Sequence, residues 1–184
     1  MNEEQILKLY KDNNWRLDNF NFFIIRTNRV YTNKFSDTFY WFYKEDNKWI
    51  IKWAKGTSKA GTYYVKNFLN AKGTGVVKEG QHLDSHKLGL HQGKYEAMVQ
   101  NKSLPIWRDK DKDDWIDYRD DETGFFGINI HHASETRESE YVDKWSAACM
   151  VFANPLSFNL FLNTFKKSGQ ETLSLTISGP ITTT

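Results

Sequence analysis

The chain has 184 residues, a formal net charge of +2 and 16% aromatic residues. That length fits one domain with a sizeable core, and the near-neutral charge gives no electrostatic case for a nucleic-acid or membrane-surface partner. The single cysteine excludes an internal disulfide framework.

The start, Met1-Asn2-Glu3-Glu4-Gln5, has no basic residues leading into an apolar run, so no secretory signal is read there. No stretch approaches the ~20 apolar residues of a membrane span. Synthesis in a cytoplasm without membrane insertion is therefore expected. Residues 3–12 are predicted as a helix, because Ile6, Leu9 and Tyr10 share a face and Asn2 can cap it. Strands are expected at 22–26, 38–43 and 49–53, the last two joined as a hairpin by the polar turn Lys44-Glu45-Asp46-Asn47-Lys48. Shorter strands follow at 62–65, 74–77, 86–91, 97–100, 104–107 and 125–131. Asn154 then caps a second helix that opens on Pro155, buries Phe158, Phe161, Leu162 and Phe165, and stops at Gly169. A strand at 172–177 closes the chain, and Gly179, Pro180 and the terminal threonines read as a frayed end. The pattern predicts a mainly β, α+β chain with flanking helices, the N-terminal one short and the C-terminal one longer. With no repeat and no linker, residues 1–19 read as a helical extension and 20–184 as a single domain.

The reactive groups concentrate in one region. Cys149 lies in Ser146-Ala147-Ala148-Cys149-Met150-Val151-Phe152, a short distance after Asn129-Ile130-His131-His132. A thiol becomes a strong nucleophile when an imidazole helps remove its proton. Strand alternation puts Ile128 and Ile130 on one face and Asn129 and His131 on the other. If the isoleucines enter the core, His131 faces a cleft or solvent and His132 points inward or lies at the strand end. His131 is thus the favoured general base and His132 the second choice. The small residues Ala147 and Ala148 let the backbone approach a substrate, and the N–H groups near Cys149 are candidate oxyanion donors.

Two other groups are candidates for metal. The run from Asp109 to Asp120 places Asp109, Asp111, Asp113, Asp117 and Asp120 at the carboxylate positions of a calcium loop, with Asp114 where such loops carry glycine. No cofactor is required by the chemistry above, and a structural Ca²⁺ is the one metal these residues suggest. His82, His86 and His91 have spacings that would suit a helix, but the surrounding glycines favour a strand and argue against zinc.

The histidine, the spacer and Ser-x-x-Cys resemble the catalytic domain of the L,D-transpeptidase (YkuD-type) family. The upstream segments resemble a phage- and Bacteroidetes-associated branch: Ala60-Gly61-Thr62-Tyr63-Tyr64, Lys72-Gly73-Thr74-Gly75-Val76, Leu88-Gly89-Leu90-His91-Gln92-Gly93-Lys94-Tyr95, and Thr123-Gly124-Phe125-Phe126-Gly127-Ile128-Asn129-Ile130-His131. The resemblance spans roughly residues 20–178. It implies a mixed β-sandwich, with Cys149 as nucleophile, His131 as base, Ser146 at the signature hydroxyl position and Ala148 in the oxyanion turn. It also implies peptidoglycan stem peptides as partners, cut through an acyl-enzyme. His91, Asn129, His132, Trp145 and Ala147 are the expected substrate contacts. Action would be at the cell wall or periplasm, with carriage in a virion or phage tail as one route. The family's signature has histidine and glycine where this chain has Ala147 and Ala148. A glycine held at positive φ would make Ala148 cost about 1 kcal/mol.

Overall fold

The computed structural model describes residues 1–181. In chain order the elements are α1 (Glu3–Asp12), β1 (Phe20–Ile25), β2 (Asp37–Glu45), β3 (Lys48–Thr57), α2 (Thr62–Lys66), β4 (Thr74–Val77), β5 (Gly80–His91) and β6 (Tyr95–Gln100). Then come β7 (Leu104–Asp109), β8 (Asp121–Gly124), β9 (Ile130–His132), β10 (Met150–Phe152), α3 (Pro155–Lys167) and β11 (Thr172–Ser178). The chain is mainly β with a few short helices, as its sequence predicts. Of the expected frayed end, residues 182–184 lie outside the described residues. No helix among the described residues is long and apolar enough to cross a membrane.

Eight strands form a closed barrel in the order β1-β11-β5-β6-β9-β10-β3-β2, and β4-β7-β8 make a separate three-stranded sheet. A sandwich was the expectation. The barrel closes because β1 uses both edges: it pairs antiparallel with β2 and parallel with β11, from Phe22↔Leu175 to Ile25↔Ser178. Neither edge is left for a second sheet.

Alternation along β1 sorts its side chains. Phe20, Phe22 and Ile24 enter the main core with Phe39, Trp41, Leu175 and Ile177. Helix α3 delivers Phe158, Phe161, Leu162 and Phe165 into the same cluster, with Phe161 4.9 Å from Phe22 and 5.2 Å from Phe152. On the outer face, Phe23, Tyr40 and Phe42 receive Ile6 and Tyr10 of α1. Both helices start where their caps predict: Asn2 and Gln5 form a capping box, and Asn154 accepts the N–H groups of Leu156 and Ser157. The β2–β3 hairpin turns at Asp46 and Asn47, both at positive φ.

Two expected strands are different. Residues 62–65 form the helical turn α2, although their β-branched and aromatic composition favours a strand. The N–H of Gly61 is fixed by the carbonyl of Ser146 at 2.9 Å, and the turn docks Val65 against Tyr31, Ala60 and Val76. The expected strand at 125–131 is broken by Gly127 at φ 69°, leaving only β9. The Gln100 side chain holds the break, its Oε1 accepting from Phe126 N–H (2.9 Å) and Ile128 N–H (3.1 Å).

Candidate functional site

The parallel pair β9–β10 sets the site. Its register joins Met150 to Ile130 and Val151 to His131. Cys149, one residue before the pairing begins, therefore lies beside Asn129. Side chains repeat every second residue, so Cys149, Asn129 and His131 share one face while Ile130 and Met150 enter the core. Along the strand, Cys149 and His131 are offset by two residues, roughly 6.6 Å.

The imidazole of His131 is buried, 2% exposed. Its Nδ1 lies 2.7 Å from the carbonyl oxygen of His132. That oxygen can only accept, so Nδ1 carries the proton and Nε2 the lone pair. The Tyr95 hydroxyl sits 3.2 Å from the same Nδ1. His91 stacks on His131 with ring centroids 4.0 Å apart. Asn129 orients His91: its Oδ1 accepts the Gln100 N–H, so its amide group donates to His91 Nδ1 at 3.0 Å. The two stacked rings thus have opposite tautomers. Burial, then the nearby His91, pushes His131 down to about 3. Burial pushes Tyr95 up to about 12. His132 is buried between Tyr95 and Phe158, 4.4 Å and 5.2 Å between ring centroids, on the inward side that alternation predicts.

Cys149 is half-buried against Val151 and Ala153. Its sulfur accepts the backbone N–H of Asn129 at 3.4 Å and donates to the carbonyl of Gly127 at 3.7 Å. Burial raises the thiol to about 11, with the Asn129 N–H pulling the other way. Among the described residues no hydrogen bond joins the thiol to His131. The preceding turn is stapled by Ser146, whose hydroxyl donates to the Cys149 carbonyl at 2.9 Å. Ala148 is not among the residues at positive φ, so alanine carries no backbone strain there. Among the described residues, no protein acceptor takes the N–H groups of Ala147, Ala148 or Cys149.

Ala147 and Ala148 line a cavity of about 320 Å³ that also touches Tyr64, Gly75, Arg108 and Phe126. Trp145 stands apart from it, with Arg137 and Tyr141 at a separate depression. Of the sequence candidates, Cys149, Asn129, His131 and His91 come together, with Ser146, Ala147 and Ala148 adjoining. Tyr95, Gln100 and Arg108 complete the surroundings and were not anticipated. The signal for Tyr95 was the Gln92-Gly93 turn, both residues at positive φ, which sets Tyr95 opposite His91.

The histidines upstream are structural. His86 is fully buried, bonded to Ser85 Oγ (2.9 Å) and to the Ile128 carbonyl (3.0 Å), and His82 holds the Lys78 carbonyl. Of the five acidic residues proposed as a calcium loop, Asp109, Asp111 and Asp117 offer oxygens within 4.8 Å of one another. Asp113 and Asp120 fall outside that group. Asp113 instead accepts the Trp115 N–H. Arg119 already pairs with both Asp111 and Asp117.

No protein-family model, curated protein or solved structure matches the chain.

Proposed function

We propose that the chain is a cysteine-dependent hydrolase of peptidoglycan stem peptides, an L,D-transpeptidase-like domain built on a closed barrel. One observation carries this reading: Cys149, Asn129 and His131 occupy one face of the β9–β10 pair, beside a turn whose N–H groups at 147–149 have no protein acceptor among the described residues. Nucleophile, base and oxyanion donors are then neighbours.

In the reaction proposed, the Cys149 sulfur bonds to the scissile carbonyl carbon while its proton passes to His131 Nε2. The N–H groups of the 147–149 turn receive the oxyanion. The C–N bond then breaks, and the leaving amine takes the proton from Nε2. Water attacks the thioester, gives a proton to Nε2, and the thiol is restored as the acid product departs. A second stem's amine in place of water gives transpeptidation.

The resting state is neutral thiol and neutral imidazole. Burial raises the thiol to about 11 and lowers the imidazole to about 3, so both shifts disfavour the thiolate–imidazolium pair. Proton transfer must therefore accompany attack, after substrate has replaced the Gly127 carbonyl as the sulfur's neighbour. The setting proposed for such an enzyme is phage-associated wall lysis or entry.

A second reading, a non-catalytic wall-binding or virion module on the same fold, is favoured by the sulfur's bonds to backbone groups instead of imidazole. Release of soluble fragments from purified peptidoglycan separates the two. The expected result is release by the wild type, loss with Cys149→Ala, and fragment masses that name the bond. No release by the wild type, with both proteins pelleting with the wall, would replace the enzyme by the binding module.

A further inference from the structure

The cavity beside Ala147 and Ala148 is lined by apolar side chains, by polar ones including Asn70 and Thr74, and by one charged residue. Leu69 and Phe125 stand at its edge, 74% and 69% exposed, and Ile106 and Ile128 lie deeper. The charge is Arg108 on β7, only 8% exposed. Its Nε donates to Glu122 at 2.7 Å, its Nη1 to the Gly73 carbonyl at 3.3 Å, and its guanidinium lies 5.0 Å from the Phe126 ring centre. These contacts fix the plane of the group. A guanidinium has five N–H donors, and among the described residues the others have no protein partner. Glu122 does not neutralise Arg108 alone, because it is shared with Lys72 at 3.0 Å. The adjoining depression holds three cations, Lys72, Arg108 and Lys110, and three anions, Asp120, Asp121 and Glu122.

Gly75 lies beside both this charge and the turn that carries the thiol. A Cβ placed on Gly75 would lie 3.5 Å from Arg108 Nη1, 3.7 Å from the Ala148 Cβ and 3.2 Å from Ile106 Cδ1. Any side chain there would fill the passage between the guanidinium and Ala148.

We propose that this cavity is the substrate subsite next to Cys149, that it takes an aliphatic residue bearing a free carboxylate, and that Arg108 selects for that carboxylate. The assignment as a substrate subsite rests on the reading of Cys149 as nucleophile. A carboxylate matches a fixed, partly desolvated guanidinium in shape as well as charge. The aliphatic part lies along Ile106 and Ile128, as in pockets where a few polar groups orient an otherwise apolar ligand.

The test is calorimetric binding of a soluble peptidoglycan stem peptide to the full chain carrying Cys149→Ala, so that nothing is turned over. The peptide is used once with free carboxylates and once with them capped as primary amides. The acid form is expected to bind at least about tenfold tighter than the amide. Arg108→Gln should abolish that preference, Arg108→Lys should restore part of it, and Gly75→Ala should weaken both ligands. The acid–amide comparison leaves Arg108 in place, so it stands even if Arg108→Gln fails to fold. Equal affinity for acid and amide, or no binding of either, overturns the subsite. Equal affinity alongside Cys149-dependent wall release would leave the catalytic reading intact. A clear acid preference without any wall release would keep the carboxylate site and overturn catalysis.

Discussion

Asp37 and Lys59 are buried as an ion pair, whereas the buried His131 and the half-buried Cys149, at the same end of the strands, are neutral groups. Asp37 meets Lys59 Nζ at 3.3 Å, and its oxygens also accept from Thr27 N–H, Ser58 N–H and Ser58 Oγ. Arg26 extends the network through Ser58 Oγ and the Val77 carbonyl. Burial pulls Lys59 down, and Asp37 pulls it back up. At the other cluster no charged partner opposes burial, so thiol and imidazole both go to their neutral forms. Opposite charges and the bonds to both Asp37 oxygens make the first cluster a structural clamp on the ends of β2 and β3. Incomplete pairing leaves the second with a free lone pair and a proton to exchange, which is what chemistry needs.

The largest expected effect is on the clamp. Asp37→Ala leaves the buried Lys59 without its counter-charge, though still bonded to Asn28, and the Ser58 N–H without its acceptor, and should cost about 3–5 kcal/mol in urea unfolding. A loss below about 1 kcal/mol would mean that the network carries no more weight than a surface pair. The neutral cluster predicts a smaller effect, read on the thiol. A shift from 9.0 to about 11 lowers the thiolate fraction near neutrality about 100-fold, so iodoacetamide should react that much more slowly than with an unperturbed thiol. The rate should climb towards pH 11. A plateau near neutral pH would instead reveal a thiolate–imidazolium pair and erase the contrast between the clusters.

Acid stability comes next. His131 is held at about 3 and His86 at about 4, against 6.5 for the unfolded chain. Between those values the unfolded state binds more protons, so stability rises with pH and is lost as pH falls below about 6.5. By pH 5 each histidine should have removed roughly 2 kcal/mol. Calorimetric melting from pH 7.5 to pH 5 checks this, and His131→Gln should flatten the slope. An unchanged slope in that variant would place the acid sensitivity elsewhere.

Local chemistry was legible in the sequence, and long-range closure was not. The caps at Asn2 and Asn154, the Asp46-Asn47 turn and the stop at Gly169 each depend on a few neighbouring residues, and all are where the sequence puts them. The alternation of Ile128, Asn129, Ile130 and His131 was also readable, and it brought His131 to the face of Cys149. What failed depended on distant partners. Nothing near Thr62 announces the Ser146 carbonyl that receives the Gly61 N–H, and nothing near Phe126 announces Gln100. The parallel pairing of Phe22 with Leu175 likewise has no local signal. The burial of His131 has the same origin, since the ring covering it is His91, brought over by the β5–β6 hairpin.

The smallest predicted effect bears most directly on the Ser-Ala-Ala-Cys turn. If its two alanines marked a decayed site, restoring glycine at 148 would be expected to restore a backbone geometry. Ala148 is already free of positive φ and packs its methyl against the main core. Ala148→Gly should therefore destabilise by about 0.5–1 kcal/mol, through a looser unfolded chain and a lost contact. It should give no gain in fragment release. The paired measurement is the melting temperature and the release rate of that one variant. A several-fold rise in release would mean that the turn, and not the protonation state of thiol and imidazole, limits the chemistry. An unchanged rate would return attention to the proton, where the contrast between the charged clamp and the neutral site locates it.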